Sequence, residues 1–337
     1  MKLIEHLIAA AQARPRRIVL CEADDERILR AACQASRDAV AHITLVGDPR
    51  RIAARFVELG LDPGDVRIED PCNSPNRPAL LAALLERRKD KGLTDEQAQR
   101  WLDEPLCYAN MMVHAGLADG SVAGAVHSTA DVVRTALQLI GKAPHARLVS
   151  SFFIMMLCKQ DHPRKGGLIF SDCGLVIDPD AEQLCDIALA AADSAQLLLN
   201  ETPRVAMLSF STAGSAQHER VSKVVQAARQ IKARRPDLAI DEDVQLDAAL
   251  IEEVAARKLP GSAVAGKANV LIFPNLEAGN IGYKMAERLG GAIAIGPLLQ
   301  GLSKPANDLS RGCSTQDIYN VIAVTGVQCL QETAARN

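Results

Sequence analysis

Aromatic residues are scarce in this chain, at 3% of 337 positions. That is too few for the stacking platforms that hold single-stranded nucleic acid. Basic charge is not in excess either: 38 Lys and Arg stand against 41 Asp and Glu, a net charge of −3. Without a bulk positive field, neither nucleic acid nor an anionic membrane is an expected partner, and any anion must be met by local basic groups. Long apolar runs are missing as well. The longest, Leu148 to Cys158, contains Ser150 and Ser151 and is too short to span a bilayer. The opening segment MKLIEHLIAAAQARPRR carries Glu5 and His6 inside its apolar run and lacks a signal-peptide cleavage pattern, so a cytoplasmic protein is expected. The nine cysteines include no CxxC or CxxH pair, and the seven histidines no HExxH or HxH. Such spacing suits neither a disulfide framework nor a transition-metal cage, so no metal is expected. The cysteines read as small core residues in a reducing compartment.

What is present is a globular balance, 48% hydrophobic and 23% charged, in a chain long enough for one large or two ordinary domains. Short β-branched runs alternate with longer helical ones. A helix is expected over Leu3–Ala13, a strand over Arg17–Cys21, a helix over Asp25–Val40 and a strand over His42–Val46. Asp48 then caps a helix whose first turn holds Pro49. Two or three helices follow between Asn76 and Leu117, then a strand at Ser121–Val126 and a helix at Ala130–Ile140. The texture changes near Pro144. An apolar strand at Leu148–Leu157 leads through a Lys/Arg/Gly turn to a strand at Gly167–Ser171, and Asp178-Pro179-Asp180 opens a helix. Further strands are expected at Arg204–Phe210, Asn269–Phe273 and Ala292–Ile295, with helices at Val221–Ala233, Leu246–Ala256, Gly282–Leu289 and Thr315–Ala334. Continuous apolar strands between helices indicate an α/β fold in two lobes, with helices covering both faces of mainly parallel sheets.

Four segments have residues suited to chemistry, each with a structural alternative. Ser211-Thr212-Ala213-Gly214-Ser215 joins a strand to a helix, so it either aims backbone N–H groups at an anion or caps the helix. It is neither a Walker loop nor a GxGxxG turn. Gly124 to Asp131 also follows a strand, where Ser128 and Thr129 bind an oxyanion or cap the next helix, and His127 reads as structural. Arg87-Arg88-Lys89-Asp90-Lys91-Gly92 complements a helix C-terminus, although Arg88 together with Arg134 would suit a phosphate if the two converge. The fourth segment, Asn307 to Asp317, collects polar groups with Arg311 just before the last helix. Ser314 and Asp317 stand in the S-x-x-[DE] relation, and spacing alone favours a cap over a general base. Ser310 has no His-Asp partner within sequence reach, so a hydrolase triad is unsupported.

GAVHSTADVVRTALQ (124–138), VAMLSFSTAGSA (205–216), VAGKANVLIFPNLEAGNIGYK (264–284) and IGPLLQGLSKPANDLSRGCSTQDI (295–318) together resemble the phosphate acetyltransferase (phosphotransacetylase) family in its short form. The resemblance covers nearly the whole chain. It implies reversible transfer of an acetyl group between acetyl-CoA and phosphate, giving acetyl phosphate and CoA by direct thiolate attack. It also implies the two-lobed three-layer α/β/α fold of isocitrate and isopropylmalate dehydrogenases, a homodimer, and a site in the cleft. One lobe would join residues 1–146 with 298–337, and the other would be residues 147–297. By this resemblance Asp317 is the base for the CoA thiol, Arg311 the transition-state cation and Ser310 its polar neighbour. Arg88 and Arg134 would bind CoA, while Ser128 and Thr129 would lie beside the phosphate or acetyl phosphate. CoA is a substrate, and no further cofactor is implied. Val176 and Ile177 stand where the family commonly has Asn-Pro, and Asn275 where Asp is frequent. Alternatives are a propionyl- or butyryl-specific enzyme, a metal-dependent hydroxyacid dehydrogenase of the same fold, and a non-catalytic CoA-binding protein.

Overall fold

The computed structural model describes residues 2–157 and 166–334, with side chains through Leu330. Most of the expected Lys/Arg/Gly turn lies outside the described residues. The chain divides into two compact units, one of residues 4–144 and 302–337, the other of residues 1–3 and 145–301.

The N-terminal part runs α1 (Lys2–Ala13), β1 (Arg16–Leu20), α2 (Glu26–Arg37), β2 (Ala41–Val46), α3 (Pro49–Glu58), β3 (Arg67–Glu69), α4 (Arg77–Arg88), α5 (Asp95–Asp103), α6 (Pro105–His114), β4 (Gly120–Ala123) and α7 (Thr129–Leu139). The middle part runs β5 (Ser150–Met156), β6 (Gly167–Ser171), α8 (Ala181–Leu199), β7 (Arg204–Leu208), α9 (Glu219–Arg234), β8 (Ala239–Val244), α10 (Leu246–Leu250), α11 (Glu252–Lys258), β9 (Val270–Ile272), α12 (Leu276–Arg288) and β10 (Ile293–Gln300). β11 (Ala306–Asp308) and α13 (Thr315–Ala334) return to the first unit.

The first unit is built on a five-stranded sheet, β11-β4-β1-β2-β3, in which every pairing is parallel. Successive side chains of a strand point to opposite faces. Val19 of β1 and the following Cys21 therefore share one core with Leu80, Leu84, Met111 and Leu139 of α4, α6 and α7. α13 packs on α2, and both pack on the sheet. Burying a Leu or Ile side chain in this way contributes about 1.5–3 kcal/mol. In the second unit the order is β10-β5-β6-β9-β7-β8. Here β5 runs antiparallel to both neighbours, and the other pairings are parallel. The fold class read from the pattern is therefore the observed one, with one reversed strand in the second sheet.

Several boundaries differ from expectation for identifiable reasons. β4 stops at Ala123, three residues short of Val126, because the N–H groups that follow bind the Glu22 carboxylate instead of a strand. The expected helix over Leu246–Ala256 is two helices, broken where Ile251 is extended (φ −121°, ψ 113°). α12 begins six residues before Gly282, capped by Asn275, which accepts from the Ala278 N–H at 3.0 Å. The cap of α8 is Asp180 rather than Asp178. Asp180 and Gln183 form a reciprocal capping box, and Asp178 pairs with Lys223 at 2.7 Å. The eight described cysteines are unbridged, and all but Cys72 are buried.

Candidate functional site

Because β1, β4 and β11 are adjacent and parallel, the loops that leave them emerge on one edge of the first sheet, where open α/β sheets present ligand-binding groups. The loop after β4 is organised by Glu22, which directly follows Cys21 and is only 5% exposed. One of its oxygens, Oε2, accepts the N–H groups of Gly124 (3.0 Å) and Ala125 (2.8 Å). The other, Oε1, accepts those of Val126 (2.9 Å) and His127 (2.8 Å), and lies 2.7 Å from His127 Nδ1. Burial would push the Glu22 carboxyl up, but the His127 ring and the loop N–H donors outweigh it and hold it below the ordinary range. The same hydrogen bond raises the pKa of His127. A turn whose spacing suggested an anion cradle is thus already occupied by the protein's own carboxylate.

Arg27 joins the β4 loop to the β11 loop. Held by Asp25 at 2.8 Å, its guanidinium donates to the carbonyls of Ala125 (3.0 Å), Arg311 (2.9 Å) and Cys313 (2.9 Å). The backbone from Arg311 to Cys313 is therefore fixed, while Ser310 and Arg311 remain exposed. Asp317 is partly exposed in the first turn of α13. Its Oδ2 accepts the Ser314 N–H and hydroxyl, both at 2.8 Å, and its own N–H reaches Ser314 Oγ at 3.2 Å. The cap favoured by spacing is present, and Oδ2 carries both of the bonds that Asp317 accepts.

At the base of this cluster Asp308, the last residue of β11, is fully buried. Its Oδ2 shares a 2.6 Å hydrogen bond with the Thr129 hydroxyl, and its Oδ1 has no hydrogen-bond partner among the described residues. Burial pushes its pKa up to about 7. Gly124, at φ +116°, makes the approach possible, since a Cβ there would lie 2.3 Å from Asp308 Oδ1 and 2.6 Å from the Leu309 nitrogen.

The sequence pattern of the family described as phosphate acetyl/butaryl transferase matches residues 2–326. The chain is 49% identical to a phosphate acetyltransferase of Paracoccus denitrificans over 97% of its own length and 99% of that protein. Among solved structures, a phosphotransacetylase from Streptococcus pyogenes superposes with TM-score 0.92 at 40% identity, covering 98% of both chains. The Staphylococcus aureus phosphotransacetylase superposes with TM-score 0.90 at 41% identity, covering 97% of this chain and 98% of that one. This chain belongs to the phosphate acetyl/butaryl transferase family.

In this member of the phosphate acetyl/butaryl transferase family, the residues singled out from sequence fall into two groups, with Arg88 apart from both. Thr129, Ser310, Arg311 and Asp317 lie on the loops and helix starts at one sheet edge, where Thr129 bonds Asp308 and Arg27 holds the Arg311 and Cys313 carbonyls. Ser128 caps α7, and its hydroxyl donates to Asp131 Oδ2 at 2.7 Å. Asp131 in turn takes Arg134 at 3.0 Å, so Ser128 and Arg134 face a common carboxylate. Arg88 ends α4 with its guanidinium 5.7 Å from the Trp101 ring centroid and a buried Nε that lacks a partner among the described residues. Among the described residues no group of three His, Cys, Asp or Glu side chains is placed to hold a metal ion, and no helix is long and apolar enough to cross a membrane.

Sequence reasoning passed over Glu22, Arg27 and Asp308 and treated His127 as structural without finding its partner. An acid placed directly after the apolar run Ile18–Cys21 was the available signal for Glu22. In the second unit the Ser211–Ser215 turn is likewise closed from within, since Asp243 accepts the Ser211 hydroxyl (2.8 Å) and the Gly214 N–H (3.0 Å). Val176 contributes its backbone N–H to Asp172 at 3.3 Å.

Proposed function

We propose that this chain is a phosphate acetyltransferase, moving an acetyl group reversibly between CoA and inorganic phosphate. The observation that carries the reading is end-to-end similarity, at 49% identity, to a phosphate acetyltransferase. The fixed Ser310–Asp317 loop beside Thr129 supports it. In the direction of acetyl-CoA synthesis, Asp317 takes the thiol proton and the sulfur attacks the acetyl carbonyl. The C–S bond forms, the C–O bond to phosphate breaks, and phosphate leaves with the bonding electrons. A free thiol has a pKa of about 8.5 and is only slightly ionised at neutral pH, so a placed carboxylate accelerates attack. Arg311 balances the charge passing from the carbonyl oxygen to the phosphate, with Ser310 as its polar neighbour. Thr129 and Ser128 meet the phosphoryl group, and Arg88 and Arg134 meet the phosphates of CoA. CoA enters as a substrate, and the step needs no other cofactor.

Direct transfer is favoured over an acyl-enzyme because Cys313, the thiol nearest Arg311 in the chain, is buried and pushed up to about 11 by that burial. Among the described residues the Ser310 hydroxyl accepts only the Gly312 N–H, at 3.4 Å, which does not activate it as a nucleophile. We infer a cytoplasmic location from the CoA-linked substrates and the unbridged cysteines. A homodimer is supported by exposed Ile281 and Met285 on α12, Leu289 at its C-cap one turn further on, and Ile293 at the start of β10.

Initial rates with phosphate and acyl-CoAs of two, three and four carbons test the assignment. Acetyl-CoA is expected to give the highest kcat/KM, although one methylene changes discrimination by only about 1–3 kcal/mol. A clear preference for butyryl-CoA would replace the reading with the butyryl member of the family. Sedimentation of wild type and Met285→Glu tests the dimer, which the variant should weaken; a monomeric wild type refutes it.

A further inference from the structure

Asp308 takes no part in the chemistry above, yet it lies under a residue assigned to the phosphoryl group. Its carboxyl is fully buried, one oxygen is 2.6 Å from Thr129 Oγ1, and the other makes no hydrogen bond. An ionised carboxylate in that setting would leave a charged oxygen dry and unpaired, which is costly. A neutral acid fits better, with its proton on Oδ2 and a carbonyl oxygen against Gly124. Gly124 and the Leu309 backbone close on the carboxyl so tightly that no Cβ is tolerated at position 124. The orphaned oxygen is therefore built into the fold.

A threonine hydroxyl has one proton, which can serve one acceptor at a time. We propose that Asp308 is a positioning residue that sets the direction of the Thr129 hydroxyl: as a neutral acid it donates from Oδ2 to Thr129 Oγ1 and frees the threonine proton for a phosphate oxygen. As a carboxylate it captures that proton, and Thr129 then turns a lone pair toward the phosphate. The inference rests on the reading that Thr129 meets the phosphoryl group.

Asp308 titrates in the useful range. Burial raises its pKa to about 7, aided by the negative charge of Glu22 and opposed by the Thr129 hydroxyl, the Leu309 N–H and Arg311. The charged groups around it are these: Glu22 at the end of β1, Arg311 after β11, His127 bonded to Glu22, and Asp131 in the first turn of α7, which is engaged by Ser128 and Arg134. The end of β4 contributes only Ala123 and Gly124. His127, whose pKa its bond to Glu22 raises from the ordinary value, is the histidine in this set, so it supplies the control.

The test measures acetyl phosphate binding by calorimetry without CoA, from about pH 6 to about pH 9. Acetyl phosphate is fully ionised throughout, so it adds no titration of its own. Wild type is expected to bind about tenfold more weakly at the alkaline end, the loss of one hydrogen bond to a charged group. Asp308→Asn keeps a permanent N–H donor to Thr129 and should abolish the slope. Thr129→Val should bind weakly at every pH, Thr129→Ser should keep the slope, and His127→Asn should keep it too. A flat wild-type profile, an unchanged slope in Asp308→Asn or loss of the slope in His127→Asn overturns the proposal. Thr129→Val binding as tightly as wild type overturns the phosphoryl reading beneath it. If Asp308→Asn fails to fold, the Thr129→Val and Thr129→Ser pair decides, together with the infrared band of a protonated carboxyl that should vanish as pH rises through about 7. Absence of that band from wild type also overturns the proposal.

Discussion

Glu22→Gln is the substitution whose cost follows most directly from the geometry. Glu22 Oε2 faces two N–H donors, while Oε1 faces two backbone N–H groups and the His127 ring. A glutamine must put its NH2 in place of one oxygen, and the less costly choice sets it against Gly124 and Ala125. Two buried donors then lose their acceptor at about 1–3 kcal/mol each, and the remaining bonds lose their charge assistance. The two lost acceptors alone come to about 2–6 kcal/mol.

The readout is available in the chain itself. Trp101 is the single tryptophan and lies in α5, within the same unit as Glu22. Urea unfolding followed by its fluorescence reports that unit. With m of about 2 kcal/mol per molar urea, the midpoint should fall by about 2 M. The pH dependence has a definite sign on each side. The depressed Glu22 carboxyl contributes stability above its unfolded pKa of about 4.3, lost as pH falls through the folded value. The raised His127 contributes stability below its unfolded value of about 6.5, lost as pH rises through the folded value. Both limbs should flatten in Glu22→Gln. A midpoint shift below about 0.5 M urea would show that the Glu22 bonds do not hold the loop, and the account of this site would fail with them.

Three further outcomes follow from the proposed roles. Arg311→Ala should lower kcat by about 10²–10³ with a smaller change in KM; steady-state kinetics in both directions would show it, and an unchanged kcat removes Arg311 from the transition state. Asp317→Asn should be slow near neutral pH and recover as the thiol ionises above about pH 8.5, whereas wild-type rate at neutral pH leaves Asp317 as the cap alone. Arg88→Ala should raise KM for CoA about tenfold or more at nearly constant kcat, and because Arg88 lies over Trp101 its fluorescence should shift as well. An unchanged KM dissociates Arg88 from CoA.

The parts of the molecule that were legible in the sequence are those set by local pattern. RIVLC and GLIFS are short apolar runs between turn residues and became β1 and β6. Ser314 and Asp317 met at the capping spacing they advertised. β8 was missed because its sequence AIDEDV places acids inside the strand, two of them buried. β11 was missed because three residues inside a polar motif carry no period. The contacts that organise the site were not legible at all. Glu22 meets His127 across 105 positions, Thr129 meets Asp308 across 179, and Arg27 meets Cys313 across 286. The parallel order β11-β4-β1 makes these contacts, and no local window contains both partners.

That topology also explains why two turns read as anion cradles or caps resolved in the same way. Free N–H groups at a strand-to-helix turn attract a negative charge, and in both units the nearest negative charge is a carboxylate on a neighbouring strand or just beyond its end. Glu22 takes the amides of residues 124–127, and Asp243 takes the Gly214 N–H. Asp172, inside its own loop directly after β6, takes the N–H groups of residues 174–176. These internal acids supply the loops with the stabilisation an anion would bring, so the loops are preformed before any ligand arrives. The consequence for chemistry is that backbone amides at these positions are not available to substrate. On the proposed function, a phosphate meeting the first unit at this edge would be held by side chains such as Thr129 and Arg311 rather than by the amides of residues 124–127, with the proposed proton on Asp308 beneath them.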